Sequence, residues 1–197
     1  MEDVLALYEK PVVLHAEVRP PRLMRPGQIL RRDCEYQRRG MANAFHGVEP
    51  KAGRHFTKIT TNRSAPQFAD CLVEIVAEYR EAHTIHLVMD NLSSHRRKSM
   101  AERYGEKIGG LLWDRFTVHY TPKHGSWLNQ AEIEIGLFNR QCPGKRKMAS
   151  FGELRRQARV WNRNKNRDRL TIDWQFPRTK ARQKFGYRWN KSIRSQT

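Results

Sequence analysis

Short apolar stretches broken by proline and glycine occupy the first third of the sequence. KPVVLHAEV, at positions 10–18, is rich in β-branched residues and is followed by Pro20-Pro21, which predicts a strand that ends there. Positions 34–50 predict one or two short strands broken near Gly40, and positions 54–62 alternate enough to form another. These segments follow one another without a helical pattern, so we expect them to pair as an antiparallel meander.

The spacing of apolar positions changes after Ser64, which can cap a helix over 66–82 with Pro66 in its first turn. Further along, the pattern predicts strands at 85–90 and 115–120 and helices at about 94–108, 127–140 and 151–163. Strands first, then strands alternating with helices, are typical of an α/β fold in which helices flank a mixed sheet. Ligand sites in such sheets lie at the carboxyl ends of parallel strands, where HLVMDNLSSH (86–95) places Asp90.

Acidic residues near two predicted element ends suggest a cation site. Asp90 follows a buried strand, and Glu132 and Glu134 lie on the helix that follows the loop after strand 115–120. Two carboxylates with water and phosphate oxygens are ligands that Mg²⁺ accepts, and a bound metal can activate water for cleavage of a phosphodiester. The alternative is that Asp90 only caps the next turn, as Asp-Asn pairs often do.

The charge of the chain is strongly positive and uneven. The formal net charge is +18, and positions 140–197 contain 18 Lys and Arg but three acids. Aromatic residues, among them Trp161, Trp174 and Trp189, are interleaved with these basic residues. Such a field predicts nucleic-acid binding, with a solvated basic tail or an acidic protein partner as alternatives.

Other features narrow the class of protein. No stretch approaches the roughly 20 apolar residues of a membrane span, and the acidic start MEDVLALYEK does not resemble a signal peptide. Cys34, Cys71 and Cys142 are odd in number and scattered, which favours reduced thiols in a cytoplasm. The histidines show no zinc-like spacing with cysteine, so we expect no structural zinc.

Several motifs together resemble bacterial insertion-sequence transposases of the mariner-like superfamily. They are LVMDNLSSH, HYTPKHGSWLNQAEIEI, NRQC and IDWQFPRTKARQKF, and the resemblance covers nearly the whole chain. The resemblance implies a ribonuclease-H-like fold with an Asp-Asp-Glu site that binds two Mg²⁺ or Mn²⁺ ions. It also implies cleavage at the terminal inverted repeats of a transposon, after which the freed 3′-hydroxyl attacks target DNA.

The resemblance assigns two of the three carboxylates. The second Asp of the family falls on Asp90 and its Glu on Glu132. The helical wheel alone does not choose between Glu132 and Glu134, which lie on opposite flanks of the apolar face, so Glu134 would be a helix-surface acid. The first Asp would precede Glu9-Lys10-Pro11, where this chain has Tyr8.

This departure predicts a chain in which the first core strand and its carboxylate have been deleted, and in which the preceding helix-turn-helix module is absent. The alternative is that VLALY forms a replacement strand and Glu9 or Asp3 restores the carboxylate. Against this, Glu9 would point away from the face of Tyr8, and Asp3 would lie at the wrong end of the strand.

We therefore predict a core at 1–145, with an incomplete first strand, and a basic helical extension at 146–197. The predicted function is metal-dependent DNA cleavage and strand transfer, impaired by the missing Asp, in a cytoplasmic, nucleoid-associated protein that can form a homodimer. The side chains predicted to contact DNA are Lys123, His124, Arg140, Lys145 and Arg146. The alternatives are a DNA-binding transposase remnant without chemistry and a basic RNA-binding protein.

Overall fold

A five-stranded mixed sheet forms the centre of the computed structural model, which describes residues 3–19, 34–122, 129–144, 146–173, 175, 179–180 and 183. The strands are β1 (Asp3–Glu17), β2 (Tyr36–Glu49), β3 (Arg54–Thr60), β4 (Ile85–Met89) and β5 (Phe116–Tyr120). The helices are α1 (Ala65–Glu78), α2 (Arg97–Tyr104), α3 (Glu106–Trp113), α4 (Gln130–Gln141) and α5 (Phe151–Asp168).

The strand order across the sheet is β3-β2-β1-β4-β5. β1, β2 and β3 pair antiparallel, as the meander prediction requires. β4 then pairs parallel with both β1 and β5. The carboxyl ends of β4 and β5 therefore lie at one edge of the sheet, with the middle of the long strand β1 beside them.

β1 is present where the sequence analysis expects a deleted strand. It begins at Asp3 rather than at position 10, and Leu5, Ala6 and Leu7 are buried. A central strand that is covered on both faces has a continuous apolar run rather than an alternating one, as VLALY does. The strand alternative is therefore correct, and the expectation of a deleted first strand is wrong.

Helices cover both faces of this sheet. On one face, α1 and α2 pack on a core that includes Leu5, Leu7, Phe45, Phe68 and Met100. On the other face, α4 and α5 enclose a second core whose main members are Val12, Leu14, Ala44, Ile135, Phe138, Leu154 and Trp161. Alternate residues of β1 thus face different helix layers, and this alternation determines what Tyr8 and Glu9 can reach.

The helix predicted at 94–108 is two helices in the structure. α2 ends at Gly105, whose φ of 81° is outside the helical range, and α3 begins at the next residue. The other helices match the predictions to within a few residues at each end.

α5 docks on the core through one face. Leu154, Ala158 and Trp161 are buried against the sheet, and the arginines of the opposite face are exposed. After the helix, the Ile172 N–H donates to the carbonyl oxygen of Pro50, so the chain crosses the β2–β3 turn. All three cysteines are free thiols, and no helix in the described part of the chain is long and apolar enough to cross a membrane.

Candidate metal and DNA site

The end of β4 places Asp90 beside the middle of β1. Ala6 is the partner of Val88 in the parallel pairing, so the same register continued by two residues brings Tyr8 next to Asp90. The N–H of Thr121, just after β5, donates to the carbonyl oxygen of Met89 at 2.9 Å. The backbone directly before Asp90 is therefore held by β1 on one side and by β5 on the other.

The beginning of α4 is attached to the same part of β1 through Asn129. Its side-chain Oδ1 accepts the N–H of Ala131 at 3.1 Å and so caps the helix. Its Nδ2 donates to the carbonyl oxygen of Leu7 at 2.8 Å. Glu132, in the first turn of α4, is thereby directed to the region of Tyr8, and its Oε2 is buried without a hydrogen-bond partner among the described residues.

The charges of both predicted carboxylates affect the pKa of the Tyr8 phenol. Burial raises the pKa of Tyr8, and the charges of Glu132, Asp90 and Glu9 raise it further, against an opposing effect of Arg63. Asp90 and Glu132, which are far apart in sequence, are thus both close enough to the Tyr8 hydroxyl for their charges to raise its pKa. The phenol stays protonated at neutral pH and offers no negative charge to a cation.

Glu9 lies on the other face of β1, as the alternation of the strand predicts. Its Oε2 is 3.5 Å from Nε2 of His95, whose ring stacks on Phe68 of α1. The Nδ1 of His95 is 2.6 Å from Oδ1 of Asp90. Burial alone would lower the pKa of His95, but contacts with Asp90 and Glu9 outweigh burial and raise it to about 9.

His95 is therefore an imidazolium that bridges two carboxylates, and Glu9 reaches Asp90 only through it. The pairing of Asp3 with Ile85 places the other proposed substitute at the opposite end of β4 from Asp90. Glu9 therefore contacts His95, and Asp3 lies beside the beginning of β4 rather than its end.

The expectation that Glu134 is a helix-surface acid is wrong. Glu134 is 7% exposed, and its Oε2 lies 3.8 Å from Nδ1 of His55 on β3. Burial raises the pKa of this carboxyl group, against a smaller effect of Lys165. Glu132 and Glu134 lie on opposite flanks of α4, so Glu134 belongs to a separate group of side chains over β2 and β3.

The predicted DNA contacts are only partly within the described residues. Arg140 and Arg146 are exposed at and after the end of α4, and Arg146 donates to the carbonyl oxygen of Cys142. Lys123, His124 and Lys145 lie outside the described residues. The proposed role of all five in DNA binding stays a prediction.

Sequence reasoning missed two residues that position the site, His95 and Asn129. Signals for both are present in the sequence. His95 closes the same HLVMDNLSSH stretch as Asp90, and Asn129 is a good N-cap residue directly before the first turn that contains Glu132.

A divalent cation fits this site in part. Asp90 and the buried, unpaired oxygen of Glu132 are suitable hard ligands. Tyr8, beside them, is a neutral phenol and adds no negative charge. Among the described residues, His46, His55 and Glu134 bring their ligand atoms within 4.8 Å of one another and could hold a metal ion. Asp90 and Glu132 do not belong to this group.

Comparison with solved structures identifies the fold. The chain is similar to "Crystal structure of the Mos1 mariner paired end complex with Mn", with a TM-score of 0.52 and 11% identity over 84% of this chain and 51% of that one. It is also similar to "Mos1 transposase paired-end complex with left transposon end", with a TM-score of 0.50 and 10% identity over 87% of this chain and 57% of that one. The predicted ribonuclease-H-like mixed sheet is confirmed, and the chain spans little more than half the length of these structures.

Sequence comparison identifies the family. No protein of curated function gives a significant match. The family model described as "DDE superfamily endonuclease" matches residues 7–155, which is more than half of the chain and contains both Asp90 and Glu132. The chain therefore belongs to the DDE superfamily endonucleases.

Proposed function

We propose that this chain is the catalytic domain of a mariner-like DNA transposase, of the bacterial insertion-sequence type, whose strand cleavage is impaired by Tyr8. The observation that supports this proposal is that the charges of Asp90 and Glu132 both raise the pKa of the Tyr8 hydroxyl, although the two residues come from different elements. Two carboxylates from the end of a strand and the first turn of a helix, in a chain with a net charge of +18, suit a cation that works on a polyanion.

Asp90 and Glu132 are the residues that would hold Mg²⁺ or Mn²⁺. The ion, when bound, supplies a more acidic water and neutralises charge that develops at phosphorus. The protein holds these two ligands in place through backbone bonds at Met89 and through the Asn129 cap. His95, held between Glu9 and Asp90, keeps the Asp90 side chain oriented.

Impairment follows from the chemistry of position 8. A third carboxylate would add negative charge and a second pair of donor oxygens, whereas a protonated phenol adds neither. Metal affinity is expected to fall, and an attacking water would be less well positioned. Small displacements of reacting groups are costly to catalysis.

DNA is the proposed partner. One of the similar structures is a Mos1 transposase paired-end complex with the left transposon end, and basic side chains cover the outer face of α5 in this chain. We propose that the protein binds the terminal inverted repeats of its element and target DNA, as a homodimer, at the nucleoid in the cytoplasm.

Tyr8→Asp is the substitution that tests the proposal. It places a carboxylate on the face that Asp90 and Glu132 share, so Mg²⁺ should raise the melting temperature of this variant by more than that of the parent chain. Nicking of supercoiled plasmid DNA carrying the inverted repeats should rise at least tenfold over the parent and depend on Mg²⁺ or Mn²⁺. Electrophoresis of the plasmid measures the nicked product.

Tyr8→Asn is the matched control, because it has nearly the shape of Asp without its charge. Asp90→Ala or Glu132→Gln in the Tyr8→Asp background should abolish the gained activity. If Tyr8→Asp folds and binds DNA yet shows no metal response, the alternative of a DNA-binding remnant without chemistry replaces the proposal. Equal binding of DNA and RNA with no effect of metal would favour the RNA-binding alternative.

A further inference from the structure

A second group of potential ligands lies over β2 and β3, separate from Asp90 and Glu132. His46 from β2, His55 from β3 and Glu134 from α4 bring their ligand atoms within 4.8 Å of one another. Their exposed fractions are 0%, 4% and 7%. Two imidazoles and a carboxylate thus face each other in the layer between the sheet and α4.

One ring nitrogen of each histidine has no hydrogen-bond partner among the described residues. These are the buried Nε2 of His46 and Nδ1 of His55, and Nδ1 of His55 is 3.8 Å from Oε2 of Glu134. Buried polar atoms in folded proteins nearly always have a hydrogen-bond partner. A ligand bound between these nitrogens and the carboxylate would supply the partner that they lack. Burial, with smaller effects of nearby charges, lowers the pKa of His46 to about 3 and of His55 to about 4, so both rings keep a free lone pair.

Surrounding residues hold the two rings in place. Oγ1 of Thr57 is 2.9 Å from Nδ1 of His46, which leaves Nε2 directed at the group. The side chain of Asn166 bonds both the N–H and the carbonyl oxygen of His55, at 2.7 Å and 2.8 Å. Trp161 packs on both imidazoles, with ring centroids 5.3 Å from His46 and 5.7 Å from His55. A hydrogen bond on the second ring nitrogen is the usual support of a metal-bound histidine.

We propose that His46, His55 and Glu134 form a transition-metal site, which Zn²⁺ fits best, in addition to the Asp90–Glu132 pair. Imidazole nitrogens favour Zn²⁺ and similar ions over Mg²⁺, which prefers oxygen ligands. Ligands of a tetrahedral Zn²⁺ lie roughly 3.3 Å apart, given bonds of about 2.0–2.2 Å, so this group needs only a small contraction. Zinc-like spacing of histidine with cysteine does not identify this group, because its donors come from three separate elements.

Such a site would fix the position of α4 on the sheet. His46 is the partner of Tyr8 in the β1–β2 pairing, so both side chains are on the face that α4 covers. Glu134 binds over His46 and His55, while Glu132, two residues earlier, is directed to Tyr8 and Asp90. A metal that joins β2, β3 and α4 would therefore hold Glu132 in register with β1.

Metal binding to the purified full chain tests this inference without any measurement of DNA cleavage. The chain carries Asp90→Asn and Glu132→Gln, so that the other carboxylate pair does not contribute. After treatment with a chelator, it is titrated with Zn²⁺ and, separately, with Co²⁺. We expect one Zn²⁺ per chain by metal analysis, a visible Co²⁺ absorption band typical of low coordination number, and no competition from excess Mg²⁺.

Variants identify the ligands. His55→Gln and Glu134→Gln should each weaken Zn²⁺ binding at least tenfold, and His83→Gln, an exposed histidine after α1, should leave it unchanged. Thr57→Val keeps all three ligands but removes the support of His46, and should weaken binding by roughly tenfold. Circular dichroism without metal shows that each variant is folded.

The inference is overturned if the folded parent binds less than a tenth of an equivalent of Zn²⁺, if Mg²⁺ displaces it, or if the ligand variants bind as the parent does. If a histidine variant does not fold, Thr57→Val and Glu134→Gln decide the outcome. Because the Asp90 and Glu132 substitutions are present throughout, the result is independent of whether the chain is a nuclease.

Discussion

Neighbouring residues of a strand point to opposite faces, and at positions 8 and 9 this alternation decides what each side chain can do. Tyr8 faces α4 and the two carboxylates, whereas Glu9 faces α1 and contacts His95. This outcome followed from the sequence, because the period of a strand is two residues. The bridge that His95 makes between Glu9 and Asp90 could not be predicted from the sequence. It joins β1 to the loop after β4, and only the pairing of the strands brings these two segments together.

The bridge leads to a prediction about stability. Glu9 and His95 have side chains only 3% and 1% exposed, so His95→Gln leaves a buried carboxylate without its counter-charge. We expect this variant to lower the free energy of unfolding by about 3 kcal/mol. The double variant Glu9→Gln/His95→Gln removes both charges and should recover more than half of that loss. Urea unfolding followed by fluorescence measures the three values.

Glu9→Gln alone completes the double-mutant cycle. If the two single effects simply add in the double variant, the charges do not interact and the bridge contributes nothing. Arg63, 3.6 Å from Oε1 of Glu9 but 64% exposed, loses this contact in both variants that carry Glu9→Gln, so its effect cancels in the cycle.

At the scale of elements, glycine spacing explains why one predicted helix is two. The sequence YGEKIGG contains the positive-φ residue Gly105, which ends α2, and Gly109, where α3 crosses it. A Cβ at Gly109 would lie 2.4 Å from the carbonyl oxygen of Met100. The periodicity of apolar residues predicted one helix at 94–108, and the structure has a break in it between α2 and α3. The close backbone packing at this break is not visible in the periodicity.

Gly109→Ala should therefore destabilise the protein, by about 2 kcal/mol, because the backbones of α2 and α3 must separate. Gly136, in the middle of α4, is the matched control, since nothing lies within 4 Å of its added Cβ. Gly136→Ala should stabilise by about 0.5–1 kcal/mol through its better helix propensity. Thermal unfolding measures both, and equal effects of the two substitutions would contradict the proposed close contact.

At the scale of the whole molecule, no local pattern in the sequence gives the order of the strands. Residue spacing indicated the type of most elements, while the parallel pairing of β1 with β4 depends on contacts between residues some eighty positions apart. The site was predictable to the same extent. Asp90 and Glu132 were found from motifs, but the burial of Glu134 beside His55 required the packing of α4 across the sheet.

The uneven charge of the molecule predicts a salt-dependent interaction with DNA. Arg155, Arg156, Arg159 and Arg163 are exposed on the outer face of α5. Replacing all four with Gln should weaken DNA binding and reduce the slope of log Kd against log salt by about one for each arginine that contacts a phosphate. Fluorescence anisotropy with a labelled inverted repeat, over a series of salt concentrations, measures this slope.

Lys98→Gln with Lys107→Gln is the control, because these exposed lysines lie on α2 and α3, over the opposite face of the sheet from α5. An unchanged slope in the α5 variant, or an equal fall in the control, would show that α5 does not form the DNA-binding surface.

The hydrogen bond by which Asn129 joins the beginning of α4 to the Leu7 backbone has a consequence for the evolution of this protein. It holds the first turn of α4, which contains Glu132, against β1 one residue before Tyr8. The codons for tyrosine and aspartate differ by a single base, T or G at the first position. Under the proposed function, one point mutation in the gene would therefore supply the third carboxylate without any other change in the chain.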